Sequence, residues 1–251
     1  MNPASTDTAA PFYTYRMSPL CTRNGWVPLA QWLAILAMTA EHVSKYLCPD
    51  AGFTPWAITL GRVAFPLFAG MVAWHLLHNT RRPARYGLRL LWVGSLAQLP
   101  YALVITPDKL NVCFTLGIGL LAVIALQQIQ ERTLQAAIGI VLALLAFSIS
   151  PHVEYGLLGL LLVPAFVLAY RYPHRTVAAI PALLLAAMIN GTPLHMLIST
   201  ATAMTLVLLA NGSLRLDVPV PAIPRPLRLS WYPLHLLVIA IIVMAITPRI
   251  A

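Results

Sequence analysis

Glu41 and His42 stand side by side inside a long apolar block, and Lys45 follows four residues after Glu41. Arg62 sits in the next apolar block, just ahead of Phe65-Pro66. Burying an ionisable side chain in such a segment costs on the order of a few kcal/mol, so its presence marks a functional position. A histidine that titrates near neutrality suits general-base work, and an adjacent carboxylate can orient it or stabilise its charged form. An arginine close by suits a developing oxyanion, or the phosphate or carboxylate of a substrate. Glu41 and Lys45 share one helix face and are spaced to pair. His42 lies about 100° further round the same helix. No His, Asp or Glu pair repeats at ligand spacing on one helix, so no metal is expected.

The rise per residue sets the depth of these groups. His42 is about 9 Å from the end of its segment, and Arg62 about 8 Å from the start of the next. A short loop joins the two segments, which are expected to be antiparallel neighbours with His42 and Arg62 at matching depth. Gln98, Asn111, Glu154-Tyr155-Gly156, Asn190 and His195 fall at the same level. A second polar set gathers at the opposite end: His75, His78, Asn79, Arg81, Arg82, Arg85 and Arg89, with Tyr232 and His235 opening the last apolar block.

The elements that must hold these residues follow from composition. The chain has 251 residues, of which 59% are hydrophobic and 9% charged, against about 25% charged in soluble domains. A spanning helix needs roughly 20 mostly apolar residues, and helix is the default because backbone groups in lipid must be satisfied within the segment. The apolar blocks predict an all-α fold, a polytopic membrane helical bundle of about nine transmembrane helices. These cover roughly 28–48, 57–78, 87–105, 111–129, 133–150, 153–170, 176–191, 195–211 and 230–248. One membrane domain, 27–251, is expected after a polar cytoplasmic arm over 1–26, which lacks the apolar stretch of a signal peptide.

The net charge of +9 is distributed unevenly. Arg16 and Arg23 precede the first span. Arg81, Arg82, Arg85 and Arg89 surround the second connection, Arg132 marks the fourth, Arg171 and Arg175 the sixth, and Arg215, Arg225 and Arg228 the eighth. The alternate connections hold little beyond Lys109. This pattern predicts an inner-membrane protein with its amino terminus in the cytoplasm. The arginines sit beside spans and are not interleaved with aromatics, which points to membrane lipids and away from nucleic acid. Four prolines between Val218 and Pro226 predict a stiff extended loop within 212–229. Pro66, Pro100, Pro164 and Pro181 predict kinks or local breaks within spans. Three cysteines make no disulfide framework; Cys48 and Cys113 are both placed on the outer side, where they could pair, and are read as free, buried residues.

At these residues the chain resembles the TraX family. Glu41-His42 stands where the family has an acidic residue and His, with Glu in place of the family's usual Asp. Gly61-Arg62-Val63-Ala64-Phe65-Pro66-Leu67-Phe68 is similar to its Gly-Arg-x-Ala-Phe-Pro-x-Phe element. Asn79-Thr80-Arg81-Arg82, Tyr86 to Leu90, Gln98-Leu99-Pro100-Tyr101, Asn111-Val112-Cys113-Phe114-Thr115-Leu116, Tyr155-Gly156 and Tyr232-Pro233-Leu234-His235 follow in family order.

The resemblance implies a membrane acyltransferase that acetylates the amino terminus of a conjugative pilin in the inner membrane. It implies His42 as base, Glu41 as its orienting carboxylate, and Arg62, with Asn111, for the oxyanion. Lys45, Gln98, Asn111, Tyr155, Phe65 and Phe68 would face the pilin. Acetyl-coenzyme A would be the donor, entering from the basic side near Arg81, Arg82, His75, Tyr232 and His235. The same residues admit other readings: head-to-tail pilin cyclisation by the same amine, O-acylation of a glycan or lipid, a transporter, or a pilus-assembly scaffold without catalysis.

Overall fold

The computed structural model of the protein describes residues 25–216 and 218–246. Arg16 and Arg23, with all of the expected arm up to residue 24, lie outside the described residues. The described chain is mostly helical: α1 is Trp26–Leu47, α2 Thr54–Gly61, α3 Ala64–His78, α4 Pro83–Val104, α5 Val112–Gln127 and α6 Arg132–Ile149. They are followed by α7 Gly156–Arg171, α8 Ile180–Met188, α9 Pro193–Ala210 and α10 Arg225–Ile246.

α3 lies at the centre, packed on α1, α5, α7 and α9. Its Trp74, Ala73 and Ala69 are almost fully enclosed. α4 and α10 pack together, and α10 also meets α1, forming a second cluster around Met38, Val93, Ala97, Tyr101, Tyr232 and Leu236. α1 joins the two clusters. It buries Ala30, Ala34, Ala37, Glu41 and Ser44, a stripe at three- and four-residue spacing whose small side chains let neighbouring helices come close.

The outside of the bundle is apolar. Leu88, Trp92, Leu96, Leu99 and Leu103 line one exposed face of α4, and α6 has no buried residue although it exposes Leu134, Ile140, Val141, Leu144 and Phe147. In water such surface would drive association; in a bilayer it faces acyl chains. Among the described residues, four stretches are long and apolar enough to cross a membrane: Thr54–His78, Arg132–His152, Pro193–Ala210 and Arg225–Ile246. Val112–Gln127, Gly156–Arg171 and Thr176–Met188 are apolar but shorter. α1 and α4, each of 22 residues, carry the polar side chains instead.

Prolines account for two departures from the expected spans. The span expected over 57–78 is broken at Arg62-Val63, between α2 and α3. Pro66 has no N–H for the carbonyl of Arg62 four residues back, and its ring crowds that carbonyl. Ser199 of α9 satisfies it instead, its hydroxyl donating to the Arg62 carbonyl at 3.1 Å. The second departure is at the last helix, which starts at Arg225 rather than near 230, with Pro226 in its first turn where a missing N–H costs nothing. The proline-rich segment before it is extended and tied to α1, since Trp32 Nε1 donates to the Pro221 carbonyl at 2.9 Å. Cys48 and Cys113 are both free.

Candidate active site

Consecutive helical residues point about 100° apart, and this separates Glu41 from His42. Glu41 faces α2, where its carboxylate forms an ion pair with the Arg62 guanidinium; the two side chains are 12% and 18% exposed. The pairing expected with Lys45 is replaced, because Glu41 faces inward while Lys45 is exposed and sits 5.3 Å over the Tyr46 ring. Arg62 is further held by its Nε, which donates to the Ile58 carbonyl at 3.1 Å. Gly61 makes the approach possible: a Cβ there would overlap the Glu41 carboxylate.

His42 faces α10. Its Nδ1 lies 2.8 Å from His235 Nε2, and the two rings are within 4° of parallel. His235 Nδ1 donates to the Trp231 carbonyl at 2.8 Å. The orienting partner of His42 is therefore His235 and not Glu41. His42 and Arg62 are joined through Glu41, the neighbour of His42 in the chain and the ion-pair partner of Arg62.

His42 lines a small cavity of about 30 Å³ together with Glu41, Gly61, Phe65, Glu154 and Tyr155. Tyr155 is the one non-glycine residue with positive φ among the described residues (φ 61°). Strain of that kind persists where surroundings over-determine it, often at functional sites. Its ring stacks on Phe65 at a centroid distance of 4.0 Å. The segment before it is pinned in place: Leu110 N–H donates to the His152 carbonyl and Glu154 N–H to the Leu110 carbonyl, while Thr115 donates to the Glu154 carbonyl at 2.8 Å. Glu154 was visible in the sequence as an acidic residue in an apolar block, but only the chain's return past Leu110 brings it to His42's cavity.

Two expected substrate contacts turn out to be internal. Asn111 is fully buried and caps α5, its side-chain oxygen accepting from Cys113 N–H at 3.1 Å. Its Nδ2 donates to the Gly94 carbonyl at 2.7 Å and to Gln98 Oε1 at 2.9 Å. Both of its side-chain N–H groups are thus occupied, and none is left for an oxyanion. Gln98 is likewise engaged, donating to the Lys109 carbonyl at 2.9 Å and accepting from Asn111 N–H at 3.1 Å.

A second cavity, of about 660 Å³, lies at the end of the bundle where α3 finishes and α4 and α10 begin. Arg81, Arg82, Arg85, Arg89, Arg225 and Arg228 line it. His75, Tyr86, Trp231 and Tyr232 are also in its walls. Of the residues expected to face a donor, Arg81, Arg82, His75 and Tyr232 meet here, while His235 belongs to the His42 pair. Arg225 and Arg228, read from sequence as markers of orientation, join them because α10 packs on α4. Met38, Phe68, Val112 and Tyr232 line both cavities, so the two are separated by a wall one side chain thick.

These features define a helical membrane protein in which a partly buried His42, hydrogen-bonded to a buried His235, lines a small polar cavity that shares wall residues with a larger basic one. The chain belongs to the TraX family: the family model described as TraX protein matches residues 28–243. Neither curated proteins nor solved structures gave a match.

Proposed function

We propose that the protein is an inner-membrane acyltransferase that moves an acetyl group from acetyl-coenzyme A to the amino-terminal amine of a conjugative pilin. The observation that carries this reading is the pair of cavities sharing Met38, Phe68, Val112 and Tyr232. A six-arginine cavity suits a donor bearing several phosphates, which guanidinium groups bind in bidentate fashion. The smaller cavity holds a histidine and two carboxylates, suited to an amine. Arg228 and Arg225 lie seven and ten residues before His235 on α10, about 10 and 15 Å along the helix, so a donor anchored at the arginines needs a slender arm to reach His42.

In this mechanism the pilin ammonium, which titrates at about 7.7–8.0, gives one proton to water and enters as the free amine, which Glu154 meets. The amine nitrogen attacks the thioester carbonyl carbon and forms the N–C bond. His42 Nε2 takes the second proton from that nitrogen. Arg62 retains N–H groups beyond its bonds to Glu41 and Ile58, and these are assigned to the developing oxyanion. Collapse breaks the C–S bond, and the departing thiolate takes the proton from His42. Phe65 and Tyr155 line the acceptor side. The cytoplasmic placement of the arginine end and the spanning of the shorter helices belong to this reading.

Head-to-tail cyclisation uses the same amine but needs no phosphate-binding cavity. Intact-mass measurement of pilin made with and without the protein separates the two: acetylation adds the mass of one acetyl group, cyclisation removes one water. A His42→Ala protein is expected to leave pilin unmodified. Full acetylation by that variant would refute the assignment of the base.

A further inference from the structure

The tautomers of the histidine pair follow from their partners. The Trp231 carbonyl can only accept, so His235 Nδ1 carries a proton. A neutral imidazole has one N–H, which makes His235 Nε2 an acceptor and leaves the 2.8 Å bond to be donated by His42 Nδ1. His42 Nε2 is then the nitrogen without a proton, on a ring that lines the small cavity.

The turn of α10 that supplies this relay is itself fixed to α1. Trp231 Nε1 donates to Thr39 Oγ1 at 2.9 Å, and Thr39 Oγ1 donates to the Ile35 carbonyl at 2.7 Å. Thr39 precedes His42 by three residues on α1, and Trp231 precedes His235 by four on α10, so the two helices are clasped twice within one turn. His235 is buried, at 8% exposure, and its ring lies near-parallel to that of His42 at a centroid distance of 5.1 Å.

We infer that His235 is a positioning residue that holds His42 in the tautomer whose Nε2 receives the amine proton. This rests on the reading of His42 as base. When Nε2 is protonated, the Nδ1–H bond to His235 persists, and the Trp231 carbonyl dipole at the far end of the relay favours the positive charge. The arrangement has the logic of a histidine oriented by a hydrogen-bond acceptor, with a second imidazole and a peptide carbonyl in place of a carboxylate. His235 touches neither substrate in this scheme.

The test uses the full chain in lipid nanodiscs with co-purified pilin and acetyl-coenzyme A. His235→Leu removes the acceptor and is expected to lower kcat on the order of 100-fold, with KM for acetyl-coenzyme A unchanged. His235→Gln keeps an acceptor within reach of His42 and is expected to recover activity to within about tenfold of wild type. A His235→Leu protein as active as wild type, beside an inactive His42→Ala protein, overturns the relay and leaves the base in place. Activity in both overturns the base. Nitrogen NMR of selectively labelled histidine in the unsubstituted protein gives a readout independent of turnover and of how the variants fold. Protonated Nδ1 and bare Nε2 at both residues are expected, and a protonated Nε2 on neutral His42 overturns the inference.

Discussion

Glu41 of α1 and Arg62 at the end of α2 form an ion pair that ties the first two helices together beside His42. Breaking one side of a largely enclosed pair leaves the other charge without compensation, which costs more than the pair's net worth. Arg62→Gln is expected to destabilise the detergent-solubilised protein by about 3 kcal/mol, whereas the double variant Glu41→Gln/Arg62→Gln loses less. Thermal unfolding followed by intrinsic fluorescence checks this. A double variant that melts below both singles would show that the ionic form matters in itself.

Gly61 matters because of the same pair. A methyl group there would overlap the Glu41 carboxylate, whereas Gly52 has open space around it. Gly61→Ala is expected to cost about 1–3 kcal/mol, as overpacking does. Gly52→Ala should be close to neutral. Equal melting temperatures for the two variants would argue against the close approach.

Asn111 separates a structural role from a catalytic one. As a cap with both N–H groups engaged, it should not tolerate Asp, which accepts from Cys113 N–H but cannot donate to Gly94. Asn111→Asp and Asn111→Ala are both expected to lower stability, by about 1–2 kcal/mol for the cap alone. The activity of whatever fraction folds should stay near wild type. Fully stable variants with lost turnover would restore Asn111 to the reacting centre.

The arginine cavity predicts a selective binding defect. Arg225 and Arg228 lie about 15 and 10 Å along α10 from His235 and share the cavity with Arg81 and Arg82; the variants are Arg225→Gln and Arg228→Gln. Each is expected to raise KM for acetyl-coenzyme A by roughly 10-fold, the worth of one charge-assisted hydrogen bond, and to leave KM for acetylpantetheine, which lacks phosphates, unchanged. Raised KM for both donors would place the loss elsewhere.

Much of this arrangement could be read before folding was considered. Apolar blocks located the helices within a few residues, and the nearness of the segments bearing Glu41-His42 and Arg62 followed from the short loop between them. Side-chain direction did not. Whether Glu41 meets Lys45 on its own helix or Arg62 on the next depends on which face of α1 is buried, and Ala30, Ala34 and Ala37 decide that only in the packed bundle. The partner of His42 lies 193 positions away, and nothing local in either segment announces it. Asn111 reads equally well as cap or catalyst until the Gly94 carbonyl is seen above it. Arg225 and Arg228 looked like orientation signals because their cavity is made by helices distant in sequence.

The wall formed by Met38, Phe68, Val112 and Tyr232 has an energetic consequence for the cell. A wet passage lined with arginine on one side and carboxylates on the other would leak ions across any bilayer that the bundle spans. Four side chains stand in its way. In the proposed acyl transfer, a donor arm threading between them fills the gap it opens and keeps the bilayer sealed against ions during turnover.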